Sequence, residues 1–534
     1  MGALSAASDR LHLWSPVLVK ELRTRMRGAR PLWLQAGYVF AMLVVLGATY
    51  AAEVGTTGTM GSPLGFRLGH ALYLGLFIVQ AVLVALIMPG LTAGAISGEQ
   101  EQRTYEMLAS TRLRSRQVVL GKLLSAWLFA VLLLTTSLPL AALCLLFGGV
   151  SPAEVMWSYG LIALCALLLA AIGLWWSSAV PRSLLAVMGA YATMGVFMIA
   201  SGLMTIDPFA FSTSYSPMPS IFAGVNPIGA IYYAANPVPV YGWVIPAGVA
   251  GAVVLFLSAA LVAASASQRL PLFGPRAGVF VRGLMLLLFA VVAGLVWGSY
   301  GQALRGAPAA AGVRMAISLS ASALMTGVIA LAAVIASGEV REPRRGSFLA
   351  WLAGGLSPRR LLQPQVRSAF GFMIVLALVG FSIVLGGLTY FLPSLGGADR
   401  HLLYRMAGLT LATVFGSTLL GAGVALEMPG IRGRVALGAG LVVTYLLALL
   451  VVAAAPPGPP LLSLKLAYLN PALIALSYVN LPVYGALRGR RGGIMGLGAA
   501  ETSAAIFVLL GLIGLFGARR AFRRAAAAEE GRRD

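Results

Sequence analysis

Between residues 97 and 122 the chain places Glu99, Glu101 and Glu106 ahead of Arg112, Arg114, Arg116 and Lys122. Thr104, Tyr105, Met107, Leu108 and Leu113 lie among or between these charges. Carboxylates in such a run could move protons or hold a metal, but no histidine or cysteine accompanies them. The whole chain has three histidines and two cysteines, Cys144 and Cys165, both inside apolar runs where they read as small buried hydrophobes. Without a C-x-x-C pair or a histidine tract, no dedicated metal site is expected. No Gly-x-x-x-x-Gly-Lys-Ser/Thr phosphate cradle occurs either, because Gly121-Lys122 lacks the preceding glycine at that distance. The chemistry that suits this run is non-covalent. An apolar centre with charged flanks fits docking into a groove on another protein, and on charge alone the same run would equally make a solvated hairpin.

The elements that must position this run are membrane spans. Of the 534 residues, 59% are hydrophobic and 10% charged, with a mean hydropathy of +0.90. A soluble domain carries about 25% charged residues. The apolar residues come in blocks of about 20, enough to cross a hydrocarbon core as helix. Spans are predicted at 32–52, 70–95, 123–147, 155–179, 183–204 and 243–265. A second set falls at 281–301, 315–336, 369–392, 403–426, 435–455 and 494–517. The expected fold is all-α and polytopic, with about a dozen spans and no soluble catalytic domain. Pro89 and Pro139 are tolerated within spans because neighbouring helices re-satisfy the backbone.

The net charge of +22 would suggest nucleic acid in a soluble protein. Here most of the 38 Lys and Arg cluster in alternate loops, a positive-inside bias that places both termini in the cytoplasm. Arg488, Arg490 and Arg491 are the exception, falling in an outer loop. The loop 205–242 is rich in Pro, Tyr, Phe and Ser, too apolar for water and too interrupted to span; short re-entrant or interfacial helices fit it.

An internal repeat is legible. Ser97-Gly98-Glu99 recurs as Ser337-Gly338-Glu339, and Asn226-Pro227 recurs as Asn470-Pro471. The offsets are 240 and 244 residues, and both signatures keep their order. The expected organisation is therefore an N-terminal cytoplasmic segment (1–31), a six-helix unit (32–270), a diverged six-helix unit (271–517) and a basic cytoplasmic tail (518–534), the halves being parallel repeats.

Ser15 is a natural N-cap with Pro16 at the first helical position. Trp14, Leu18, Leu22 and Met26 recur at spacing four, while Lys20, Arg23, Arg27 and Arg30 point elsewhere; Glu21 is the one acidic residue here. Such a basic amphipathic helix lies among anionic lipid headgroups. It is either a plain anchor or an elbow that also packs near a cytoplasmic partner. Glu501 falls about eight residues into the last predicted span. An ionised carboxylate at depth costs several kcal/mol, so Glu501 is either a functional polar site or a neutralised structural group held by Thr502 or Ser503.

The run at 97–122 resembles the cytoplasmic coupling segment of the type-2 ABC exporter permeases. Glu99, Glu101, Thr104, Glu106, Met107, Leu108, Leu113, Gly121 and Lys122 match the family pattern. Arg103 stands where that family prefers Gly, and Arg112 where it prefers Pro. Residues 15–23 resemble its elbow helix, with Ser15 in place of Asn before Pro-Val-Leu-Val-Lys-Glu-Leu-Arg. The resemblance implies a permease subunit of the bacterial inner membrane that exports a substrate by alternating access. It would perform no covalent chemistry and bind no cofactor; ATP and Mg would sit on a separate ATP-binding subunit, present in two copies. Either one duplicated chain or a pair of chains would supply the membrane half. The competing class is a gradient-driven secondary transporter or lipid scramblase.

Overall fold

The computed structural model describes residues 16–55, 64–105, 113–205, 223–240, 242–270 and 499–530, and parts of two helical stretches within 280–298 and 405–423. The described chain is mostly helical. Among the described residues six helices are long and apolar enough to cross a membrane, which makes this an integral membrane protein. The chain divides into two units, residues 1–238 with 244–274, and residues 239–243 with 275–534.

The first unit opens with α1 (Pro16–Met26) and α2 (Arg30–Gly55), separated by a bend in which Gly28 takes φ 89°, a left-handed angle that costs glycine nothing. There follow α3 (Leu64–Ala93), a short α4 (Ser97–Glu101), α5 (Ser115–Thr136), α6 (Leu138–Phe147), α7 (Pro152–Ala179) and α8 (Ser183–Thr205). The segment after α8 carries a seven-residue helix, α9 (Pro227–Tyr233), and a two-stranded sheet of β1 (Pro237–Val240) and β2 (Trp243–Pro246). The unit closes on α10 (Ala247–Arg269). The small sheet was not expected of an all-α chain. The Pro-Val-Pro-Val and Trp-Val-Ile-Pro runs are β-branched and Pro-rich, and Gly242 (φ 89°) turns between them.

The central helix is α7, which packs against α3, α5, α8, α9 and α10. Its apolar stretch is 61% buried, whereas that of α2 is 17% buried. The sequence of α7 explains its place. Cys165, Ala166, Ala170, Ala171 and Gly173 lie among Leu161, Ile162, Leu168, Leu169 and Leu174, leaving no polar face to turn outward. Gly173 lets α3 approach: a Cβ there would meet the Pro89 carbonyl at 3.1 Å and collide with Thr92. A capping box starts the helix, the Glu154 N–H donating to Ser151 Oγ (3.2 Å) and the Ser151 N–H to Glu154 Oε2 (2.9 Å).

Two prolines fall within spans: α3 runs on through Pro89, whereas the helix breaks just ahead of Pro139. Around Pro89 in α3, the Leu86 carbonyl accepts from Tyr191 Oη (2.6 Å) and the Met88 carbonyl from Thr92 Oγ1 (3.0 Å). The predicted span 123–147 is two helices, α5 and α6, joined at Ser137, and it starts eight residues early, at Ser115. Pro139 has no N–H for the Thr135 carbonyl, so the helix breaks one turn before it. The hydroxyls of Thr135, Thr136 and Ser137 turn back onto the Leu132, Leu133 and Leu134 carbonyls at 2.8, 2.7 and 2.7 Å.

In the second unit, α11 (Ala499–Glu530) continues through most of the expected tail 518–534. It crosses the 405–423 stretch on glycines: a Cβ on Gly416 would strike the Phe507 backbone, and one on Gly423 the Gly514 backbone. Most of the second predicted set of spans, together with Ser337-Gly338-Glu339 and Asn470-Pro471, lies outside the described residues.

Candidate coupling site at the charged end of the bundle

Lys122 sits in the third turn of α5 on the face that also buries Val118, Val119, Ser125 and Ala126. Its side chain is 3% exposed. An ammonium buried in this way is costly unless paired and hydrogen-bonded. Nζ lies 2.8 Å from Glu21 Oε1 on α1 and 2.7 Å from Glu99 Oε1 on α4. One cation thus joins the N-terminal helix, the acidic run and the third span, and the triad carries one net negative charge.

Each residue of Ser97-Gly98-Glu99 has a distinct place. Ser97 is fully buried; its N–H and that of Ile96 donate to Ser177 Oγ on α7, at 3.0 and 2.8 Å, and its hydroxyl bonds the Ala93 carbonyl. These bonds satisfy two of the donors that a helix start leaves open. Gly98 runs beside Ser183. Glu99 turns to Lys122, and its second oxygen, Oε2, is buried without a hydrogen-bond partner among the described residues.

Glu101 reaches the opposite neighbour. Its carboxylate accepts from the Ser183 N–H (2.9 Å) and the Ser183 hydroxyl (2.7 Å), at the positive end of the α8 dipole and beside Arg182. The chain then turns out of α4. The Thr104 N–H and hydroxyl both bond the Glu99 carbonyl, at 2.9 and 3.3 Å, and Arg103 takes φ 58° to allow it. Glycine adopts that left-handed angle freely, whereas Arg103 adopts it under strain.

Tyr105 is half-buried against the core, its hydroxyl unpartnered among the described residues; burial raises its phenol above the usual range, with Glu99 adding to the shift. Leu113 is half-buried, and the Arg114 N–H donates to Gln117 Oε1 (3.0 Å) at the start of α5. Glu106, Met107 and Leu108, the centre of the expected docking segment, lie outside the described residues.

On α1, Pro16 is the first helical residue, Val17 and Leu18 are buried, and Leu22 is half-buried. Met26, one helical turn further on, is 43% exposed. Lys20 and Arg23 are exposed, whereas Arg25 is turned inward, donating to the Leu91 carbonyl (3.4 Å). Glu501 lies in the first described turn of α11, one residue ahead of the apolar stretch Thr502–Ala521, and its side chain is outside the described residues. The structure therefore brings together Glu21, Glu99, Glu101, Thr104 and Tyr105, but not Lys20 or Arg23.

Sequence reasoning matched Lys122 to a pattern without assigning it a partner, and it missed Ser177 and Ser183. For Lys122 a signal existed: a lysine on the buried stripe of an apolar helix requires an acid. For the serines there was none, because nothing local distinguishes a capping serine from any other in a span. Among the described residues no group of three His, Cys, Asp or Glu could hold a metal ion. The chain matches no protein-family model and no curated protein.

Proposed function

We propose that this chain is the membrane permease subunit of an ATP-driven exporter of the type-2 ABC class, with ATP and Mg bound on a separate subunit present in two copies. In this reading the charged end of the bundle is cytoplasmic and the membrane is the bacterial inner membrane. Twelve spans in two tandem six-helix units build the pathway. The observation that carries it is the Lys122 triad. A peripheral helix and a short acidic helix, with no covalent business of their own, are tied by charge-assisted bonds to the buried face of a span. The Glu101–Ser183 cap ties the same short helix to α8. A push on 97–113 would reach α5, α7 and α8 through short, stiff contacts, which is what a transmission element requires.

The test is reconstitution with an ATP-binding subunit that co-purifies with this chain. Purified together in proteoliposomes, the pair should hydrolyse ATP faster than the ATP-binding subunit alone. Glu101→Lys with Glu106→Lys should lower that stimulation. Association and stimulation unchanged by the double substitution would refute the coupling assignment. ATP-independent flux by this chain alone would favour a gradient-driven transporter or scramblase.

A further inference from the structure

A second buried polar cluster lies inside the bundle, where α5 breaks from α6. Gln80 of α3 is fully buried and Tyr38 of α2 is 2% exposed. Ser137 is fully buried at the break, and Tyr159 reaches it from α7. Their hydrogens can be assigned. Ser137 Oγ is 2.7 Å from the Leu134 carbonyl, so its single proton is spent there. Ser137 Oγ must then accept from Tyr159 Oη (2.9 Å) and from Gln80 Nε2 (3.2 Å).

This assignment leaves three valences open. The Tyr38 hydroxyl and Gln80 Oε1 are buried with no hydrogen-bond partner among the described residues, and the Tyr159 oxygen has acceptor capacity to spare. The Tyr38 hydroxyl has Ser137, Gln80 and Tyr159 as its electrostatic neighbours, so the open valences share one space. Phe77 closes one side, edge-on to Tyr159 at 4.9 Å. Among the described residues no charged side chain contributes to the cluster, which disfavours any ion. Buried waters typically make about three hydrogen bonds to polar groups that would otherwise be unsatisfied.

We propose that this cluster is a binding site for one resident water molecule, which accepts from Tyr38 Oη and donates to Gln80 Oε1 and Tyr159 Oη. The water wets the joint between α5 and α6, so the joint can reorient without leaving unpaired polar groups in a hydrocarbon setting. The inference is independent of the transport reading.

Millisecond X-ray hydroxyl-radical footprinting of the full chain in nanodiscs tests it, since radicals form at bound water. Cys144, an electrostatic neighbour of Tyr159, and Cys165, buried in the apolar interior, are built-in reporters. Tyr159 and Cys144 should be oxidised while Cys165 is not, and in Gln80→Met their labelling should fall to the Cys165 level. A substituted protein that does not fold reveals itself by labelling at Cys165, and Tyr38→Phe, which deletes one oxygen, then replaces it in the comparison. Unlabelled Tyr159 and Cys144 in the natural chain would overturn the proposal, because Tyr38 would then donate directly to Gln80 Oε1. So would labelling that a folded Gln80→Met or Tyr38→Phe leaves unchanged.

Discussion

Replacing Lys122 by Met keeps the stem volume and deletes the ammonium. Glu21 and Glu99 then face each other across a gap that held their shared cation, with side chains 17% and 22% exposed. Breaking a buried ion pair by removing one partner costs about 3–5 kcal/mol. Partial exposure lets water reach both carboxylates, which places Lys122→Met near the lower end, about 3 kcal/mol. Glu21→Gln or Glu99→Gln should cost less, about 1–2 kcal/mol each, because Lys122 keeps one ionised partner and a neutral hydrogen bond. The triple change, Lys122→Met with both glutamates to Gln, should recover most of the loss, since no uncompensated charge remains. The assay is the apparent melting temperature of the detergent-solubilised chain, compared within one scan rate. A Lys122→Met protein as stable as the natural one would refute the reasoning. So would a triple variant no more stable than the single, because the loss would then come from packing rather than from stranded charge.

Three further outcomes follow from the geometry. Gly173→Leu should disrupt α3–α7 packing and abolish a monodisperse peak in size-exclusion chromatography, since its Cβ would meet backbone at Pro89; Gly160→Ala, which has open space, should elute unchanged. Arg103→Gly should leave melting equal or raise it by up to about 1 kcal/mol, while Arg103→Val should lower it by about 1–2 kcal/mol, because a β-branched residue is strained at φ 58°. Glu101→Ala should accelerate hydrogen exchange across the first turn of α8, read by mass spectrometry. Unchanged exchange there would show that the Ser183 cap contributes nothing in solution.

Local pattern carried some features a long way. Ser-Pro-Ala-Glu at 151–154 forms its capping box with partners three residues apart, so no distant contact is needed. Pro16 and the basic run after it likewise mark α1. The charged run at 97–122 reads as loop in the sequence, but Ser115–Lys122 is helix continuous with the span. Charge suggested a loop there because Arg114 and Arg116 are solvent-facing, and hydropathy averages such residues with the buried Val118 and Val119. The break at Ser137 was half-legible. Pro139 is tolerable in a span on sequence grounds, but whether a proline kinks or splits a helix depends on its surroundings, and here the helix divides at Ser137, where the hydroxyls of Thr135, Thr136 and Ser137 bond back onto the preceding turn.

The sequence by itself determined that the chain lives in a membrane, because the hydrocarbon core demands about 20 apolar residues per crossing and satisfies no backbone outside helices or closed barrels. It also singled out the acidic run, since charges grouped beside a span are rare enough to be seen. Only the tertiary structure decided which charges meet. Lys122 stands 101 residues from Glu21 and 23 from Glu99, and the helix packing alone brings each carboxylate within 3 Å of its ammonium. Charge complementarity is a property of positions in space, and chain order does not encode which of the 38 cations will find itself buried and in need of an acid.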